Sequence, residues 1–292
     1  MNISYIVLLN KSSKQERKLK MLSKEERKPL HIAMFSGGAS SAYVAYRMAQ
    51  QYGLDNSILF FTDTQWEDED NYRFMEEVAD YIGLPMTYIV DGRTPEDVFF
   101  DMGYLGNSRL AKCSEEIKVR QTLIFIEEKR MEGFEPILYF GIGPHEKHRA
   151  ENLTSFYEHF PIEPVETRFP LIETFRQDLD AKHIIENEWG IKLPRMYALG
   201  FEHANCAGRC VRGGYGHYAT LYKVWPERYL EQEDMERRFR EEFKKDVSIL
   251  KRNGTRFTLE EYRKMMDEKG FDVLVQEKDD DSQSIPCVCT FS

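Results

Sequence analysis

Apolar residues along the chain fall into short solid runs, separated by longer stretches in which they recur every three or four positions. The runs are Ile32–Phe35, Ser57–Phe61 (SILFF), Pro85–Val90 (PMTYIV) and Pro136–Ile142 (PILYFGI). Runs of this length without alternation predict strands buried on both faces. Helical spacing appears between them. It is carried by Ala42, Val44, Ala45, Met48 and Ala49 after the first run, and by Phe74, Val78 and Tyr81 within 67–82. Ile117, Leu123, Ile124 and Ile126 carry it within 115–131, and a further stretch covers 146–157. Strands alternating with helices predict an α/β fold, a parallel sheet sandwiched by helices in a Rossmann-like layering. The pattern changes after about residue 165. Helices are expected over 178–188, 227–246 and 259–269, while 190–216 is glycine-rich and holds Pro194. The expected division is an arm over 1–29, an α/β domain over 30–165 and a mainly helical, cysteine-bearing subdomain over 166–292, lying over the sheet edge.

One segment between the first strand and the first helix is unlike the rest. Ser36-Gly37-Gly38-Ala39-Ser40-Ser41 sits on a strand-to-helix turn, where backbone N–H groups and the positive end of the helix dipole converge. An anion, most often a phosphate, is the natural occupant; a glycine-eased turn with a serine cap is the plainer alternative. Asp63 and the stretch Gly141 to Arg149 fall at the same carboxyl-terminal edge of the expected sheet, which is where such sheets bind ligands.

Composition narrows the setting. The 292 residues are 41% hydrophobic and 13% aromatic, enough for a folded core without staples. No apolar run approaches the roughly 20 residues of a membrane span, and the start lacks the features of a secretory signal, so no membrane association is expected and the cytoplasm is the expected location. The net charge of −10 argues against coating nucleic acid by bulk charge. Lys11 to Lys28 is locally basic, either a solvated arm or an anion-binding one, and Asp279-Asp280-Asp281 reads as a solvated linker. Five cysteines are an odd number for a disulfide framework. Cys113 stands alone, Cys206 and Cys210 form C-x3-C, and Cys287 and Cys289 form C-x-C.

Several segments, in order, resemble one superfamily. SGGASS resembles the SGGxDS pyrophosphate loop of the PP-loop adenine-nucleotide alpha-hydrolases. FTDTQWEDED, CSEEIKV, GIGPHEKHRA and the stretch FPLIETFRQDLDAKHIIENEWGIKLPRMYALGFEHANCAGRCV resemble successive segments of its phosphoadenylyl-sulfate (PAPS) reductase-like branch. The resemblance covers roughly residues 30 to 230 and implies an adenine-nucleotide alpha-hydrolase-like sheet. It implies that Ser36, Gly37, Gly38, Ser40 and Ser41 hold phosphate or sulfate groups. By the same resemblance Asp63 and Thr64 lie near the adenosine, Gly141 lets ligand approach the backbone, and Glu146 and Arg149 lie at the mouth. A surface i,i+3 pair is the plainer reading of those last two. The implied ligand is ATP, with Mg²⁺, or adenylyl sulfate/PAPS.

Two departures bear on the chemistry. Ser40 stands where ATP-splitting members carry Asp, and the tail Ser-Ile-Pro-Cys-Val-Cys-Thr-Phe-Ser lacks the reductases' Glu-Cys-Gly-Leu-His. The resemblance also implies chemistry at Cys113, Cys206 and Cys210. With Cys287 or Cys289 these would supply four thiolates for a [4Fe–4S] cluster or for zinc; transient disulfides, or idle thiols, are the alternatives. Arg209 and Arg212 flank the cysteine pair, and His203 and His217 bracket it. Three functions are therefore open. In the first, which is the leading expectation, the protein adenylates an acceptor with release of pyrophosphate and then transfers sulfur, with nucleic acid as an acceptor held by the arm and with a sulfur donor as partner. In the second it is a PAPS or adenylyl-sulfate reductase served by a thioredoxin-like reductant. In the third it is a nucleotide-sensing module with a structural metal. A homodimer is the expected assembly.

Overall fold

The computed structural model describes residues 22–106, 111–174 and 179–271. Cys287, Cys289, the acidic run at 279–281 and the basic residues before Leu22 lie outside them. Five parallel strands, β1 (Lys28–Met34), β2 (Ser57–Asp63), β3 (Met86–Val90), β4 (Phe134–Tyr139) and β5 (Glu166–Arg168), form one sheet in the order β3-β2-β1-β4-β5. The chain is thus an α/β protein with a parallel sheet sandwiched by helices. Because successive strand residues point to opposite faces, each strand feeds two cores. Ala33, Phe35, Leu59 and Phe61 face α1 (Ala39–Tyr52) and α2 (Glu69–Ile82). Ile32, Phe60, Leu138 and Phe140 share the other core with Ile126 and Leu153, from the helices that follow α3 (Pro95–Met102), namely α4 (Arg120–Met131) and α5 (Lys147–His159). Four alanines, Ala39, Ala42, Ala45 and Ala49, make up much of the buried stripe of α1. Small side chains let this helix lie close over the strand that delivers it.

The C-terminal half supplies α6 (Pro170–Glu173), α7 (Ala181–His183) continuing as a π-helical turn Ile184–Glu188, α8 (Arg195–Ala198), α9 (Tyr215–Val224), α10 (Pro226–Phe243) and α11 (Leu259–Lys269). A third core gathers Phe99, Met196, Phe201, Tyr218, Tyr229 and Phe239. It therefore recruits α3 out of the first half of the chain. A hairpin of β6 (Leu250–Arg252) and β7 (Thr255–Phe257) closes it, turning at Asn253-Gly254 with φ of 50° and 76°. Two left-handed residues make the turn whose twist suits paired strands, and Asn-Gly is the pair that adopts it most readily.

The structure departs from the sequence expectation at both margins of the first domain. The sheet starts at Lys28, inside the stretch read as an arm, because Arg27 is buried between Glu135 at 2.9 Å and Glu163 at 2.6 Å. It also gains β5 at its edge, three residues of polar alternation too short to register as a buried run. Among the described residues no helix is long and apolar enough to cross a membrane.

One carboxyl group ties the third core together. Glu236 of α10 is buried and accepts the backbone N–H of Ile249 (2.7 Å) and of Leu259 (2.8 Å), one on each side of the hairpin. Burial pushes its carboxyl up to about 7, against the two N–H donors that favour the charged form. The folded state therefore holds this proton over a range where the unfolded chain has released it. The sign is that stability from this group falls as pH rises from about 4.3 towards the folded value, and is flat beyond it. The expected outcome is that the melting temperature of Glu236→Gln, though lower, changes less than wild type between pH 5 and pH 8. Parallel slopes in the two proteins would refute this role.

Candidate active site

The glycine loop is shaped by what stands behind it. Phe35 N–H donates to Phe60 O at 2.9 Å, so strand pairing persists to the residue before Ser36. Gly37 then turns with φ +79°, and a Cβ there would lie 2.4 Å from Asn71 Oδ1. Both the dihedral and the space exclude other residues. Asn71 is fully buried, and its carboxamide makes no hydrogen bond among the described residues. Ser41 Oγ donates to Gly38 O at 2.9 Å, inside the first turn of α1, which carries no acidic residue. Just past the end of the neighbouring strand β4, a Cβ on Gly141 would lie 2.5 Å from Ser41 N. The backbone that this glycine admits is that of α1 itself.

A cavity of about 270 Å³ opens at this edge, where the strand order reverses between β1 and β4. Ser36, Gly38, Ser40, Ser41, Gly141, Glu146 and Arg149 line it, as do Phe60, Phe140 and Ile142 on an apolar side. Arg149 is 2% exposed and ion-paired to Glu146, so the pair belongs to the cavity wall and not to a solvated helix surface. Gly37, Asp63 and Thr64 are not on that wall. Asp63 is taken up by Gln65 N–H and Tyr72 Oη, each at 2.7 Å. Burial first, and the Asp63 hydrogen bond second, push the Tyr72 phenol far above its ordinary value. Other polar residues of the wall, among them Lys118, Lys182, Tyr197 and Asn205, had no assigned role in the sequence, and His203 was named there only beside the cysteines. Lys118 and Tyr197 each lie in a segment that carries the resemblance, CSEEIKV and the stretch containing MYALGFEHANCAGRCV.

The cysteines occupy a second, smaller space. Cys113, Cys206 and Cys210 line one pocket of about 20 Å³, with Thr64, Trp66 and Arg209. Its volume is near that of a single small occupant. Cys113 precedes a π-helical turn, Ser114–Val119, which leads into α4; such turns are frequent at functional sites. Cys206 and Ala207 adopt φ of 57° and 48°, followed by Gly208 at 81°. Left-handed backbone at two non-glycine residues is costly, and Cys206 N–H is fixed by Glu67 Oε2 at 2.7 Å. Arg209 lies over the Trp66 ring at 4.8 Å, and burial pushes its guanidinium below the ordinary value. His217 Nε2 faces Gly208 O at 2.7 Å, and Arg212 is buried. Among the described residues no three His, Cys, Asp or Glu side chains are arranged to hold a metal ion. Lys118 lines both spaces, and Ala204 and Asn205 on the cavity wall lead directly into Cys206.

What holds the two spaces together is Asp68. Its side chain has no exposed surface, caps α2 by accepting Asp70 N–H at 3.1 Å, and receives Arg195 at 2.7 and 2.8 Å and Arg228 at 3.2 Å. Arg228 lies over the Trp225 ring at 3.9 Å and also donates to Ala207 O. Burial alone would raise the Asp68 carboxyl, but the Arg195 guanidinium and the Asp70 N–H outweigh it and hold the group below its ordinary value.

No protein-family model matches the chain, and no curated protein is similar to it.

Removing the Asp68 carboxylate takes away a helix cap and leaves two guanidinium groups without their buried counter-charge. Asp68→Ala is expected to cost about 2–4 kcal/mol, read from the urea midpoint. The loss in wild type should also appear as pH falls through the lowered Asp68 value, below the ordinary carboxylate range of about 4. A variant within about 0.5 kcal/mol of wild type would show that Asp68 is a surface pair and not a structural hub.

Proposed function

We propose that the chain is an adenine-nucleotide-dependent enzyme of sulfur chemistry. The observation that carries this reading is the shared wall: Lys118 lines both the loop-edged cavity and the three-thiol pocket. A purine suits the apolar side formed by Phe60, Phe140 and Ile142, and phosphate oxygens suit the serine hydroxyls and the amides opening α1. Lys118, Arg149 and Lys182 supply cationic groups around the same space. The cytoplasm, where thiols stay reduced, suits chemistry at paired cysteines.

In the leading form, an acceptor oxygen attacks the α-phosphorus of ATP. A P–O bond forms and pyrophosphate leaves with Mg²⁺. A donor that itself carries a persulfide passes its terminal sulfane sulfur to one of the paired thiols, Cys206 or Cys210, leaving the donor as a thiol and the cysteine as the persulfide. Its terminal sulfur displaces AMP from the activated carbon. The second thiolate then attacks the cysteine sulfur, releasing the thiolated product and leaving a disulfide. A thioredoxin-like reductant supplies the two electrons that restore the thiols. The resemblance implies a cluster or zinc at these cysteines, with Cys287 or Cys289, which lie outside the described residues, completing the set; the sulfur-transfer steps above need no metal. Nucleic acid is an acceptor class consistent with the basic stretch at Lys11 to Lys28, and a homodimer remains the proposed assembly.

Ser40 favours a second reading. With no acid on the loop and Glu146 engaged by Arg149, the cavity suits an anion already activated, such as adenylyl sulfate: a thiolate would attack its sulfur and displace AMP, and a second thiol would then release sulfite and leave a disulfide for the thioredoxin-like reductant to reduce.

The test is to incubate anaerobically purified protein with ATP and Mg²⁺, and separately with adenylyl sulfate and a thiol reductant. Pyrophosphate, AMP and sulfite are measured, with binding followed alongside. Pyrophosphate release that falls tenfold or more in Ser36→Ala, as expected for loss of a hydrogen bond to a charged group, supports the transferase form. Sulfite release without pyrophosphate supports the reductase form. Failure to bind either nucleotide would sink the proposal.

A further inference from the structure

The first amide of α1 already has an oxygen in front of it. Ala39 N–H lies 3.4 Å from Tyr197 Oη, a long contact beside the usual 2.9 Å. The same oxygen lies 3.5 Å from where a Cβ on Gly38 would stand. Tyr197 belongs to α8, from the other half of the chain, and Lys182 Nζ sits 4.0 Å from the centroid of its ring. Both side chains line the cavity. Their backbones are pinned from behind. Asp180 accepts the N–H groups of Lys182 and His183 at 3.0 and 3.1 Å, and Ile185, one turn on, is buried in the core that α1 shares. Arg195, two residues before Tyr197, is the bidentate partner of Asp68. Fixed stems thus carry two polar ends, one hydroxyl and one ammonium, to a loop that has hydroxyls and amides but no cation of its own.

We infer that Tyr197 and Lys182 are the second half of the phosphate site: the hydroxyl that now faces Ala39 N–H donates to a ligand phosphate oxygen bound at that amide, and the Lys182 ammonium leaves the ring face to pair with the same anion. This deepens the proposed function and rests on its reading of the cavity as a nucleotide site. The sharing is chemically economical. A phenol can accept from an amide in the empty site and donate to an anion in the filled one, and the C-terminal half is thereby coupled to loop occupancy. Burial pushes the Tyr197 phenol up, so the O–H remains a donor at neutral pH.

The test titrates the full chain by calorimetry with ATP, inorganic pyrophosphate and adenosine, comparing wild type with Tyr197→Phe and Lys182→Met. Tyr197→Phe keeps the ring beneath Lys182, and Lys182→Met keeps an apolar stem. The expected result is ATP affinity ten- to hundredfold weaker in Tyr197→Phe. For Lys182→Met it is about tenfold weaker at low salt, with the difference shrinking as salt rises. Adenosine affinity is unchanged in both. ATP binding that is equal or tighter in Tyr197→Phe would overturn the inference, since the hydroxyl would then be a plug and not a ligand. Equal loss of ATP and adenosine would also overturn it, as a merely structural effect. If wild type binds pyrophosphate but neither ATP in preference nor adenosine, the adenine reading fails while the same variants judge the clamp on pyrophosphate. If wild type binds none of the three, both fall.

Discussion

Asp68 is the constraint on which the rest of the arrangement depends. It is a carboxylate wholly removed from water, and its charge is met by Arg195, by Arg228 and by the N-terminus of α2. Burying ions carries a large desolvation cost, so such a cluster is weak evidence of net stabilisation and better evidence of fixed register. Its consequences here are geometric. Arg195 fixes α8 and thereby Tyr197 over the glycine loop. Arg228 reaches on to the carbonyl of Ala207, inside the left-handed turn that carries Cys206. The neighbouring Glu67 holds the amide of Cys206 itself. One stretch, Trp66 to Asp70, thus adds polar contacts of fixed geometry to the apolar cores that the two halves share.

The same stretch explains why the two chemical spaces adjoin. The cavity takes its loop from β1 and its opposite wall from residues 203–205, and the next residue is a thiol of the second pocket. Lys118 reaches both spaces from a π-helical turn, and a second such turn follows Lys182. Widened turns at these two points re-aim side chains by a fraction of a helical step. Lys118 lies within the first of these turns and Lys182 just before the second, and both line the cavity.

Much of this was legible in the residues. Three of the four apolar runs give the central strands β1, β2 and β4, whose burial on both faces leaves little alternation to misread, and the fourth gives the partly buried edge strand β3. The loop at 36–41 and Gly141 stood out for their glycines, and the structure brings them together at the strand-order reversal. What stayed hidden is instructive. β5 is short and polar, and it takes its register from β4. The helix α3 follows a Thr94-Pro95 start with a full capping box, a signal that the break at Asp91–Pro95 masked. The hairpin advertised itself through Asn253-Gly254 but lies beyond the stretch that resembles any family. Asp63 follows the strand run directly, yet a turn hydrogen bond to Gln65 and Tyr72 draws it away from the cavity. Lys182 and Tyr197 lie inside the long stretch that carries the resemblance, but nothing in their spacing places them beside the glycine loop. Asp68 holds Arg195 and so seats the helix of Tyr197, while Asp180 and buried Ile185 seat that of Lys182; a contact like the first, across more than a hundred residues, leaves no mark on spacing.

The central claim is that one wall separates a nucleotide from three thiols, so the most direct measurement is the reactivity of those thiols. Alkylation rates of Cys113, Cys206 and Cys210 in the full chain can be followed residue by residue by mass spectrometry, with and without saturating ATP or adenylyl sulfate. The account predicts that bound nucleotide changes the rate at Cys206 most, by several-fold, because residues 203–205 form the cavity wall and lead directly into it. Unchanged rates at all three cysteines, with nucleotide bound, would contradict it.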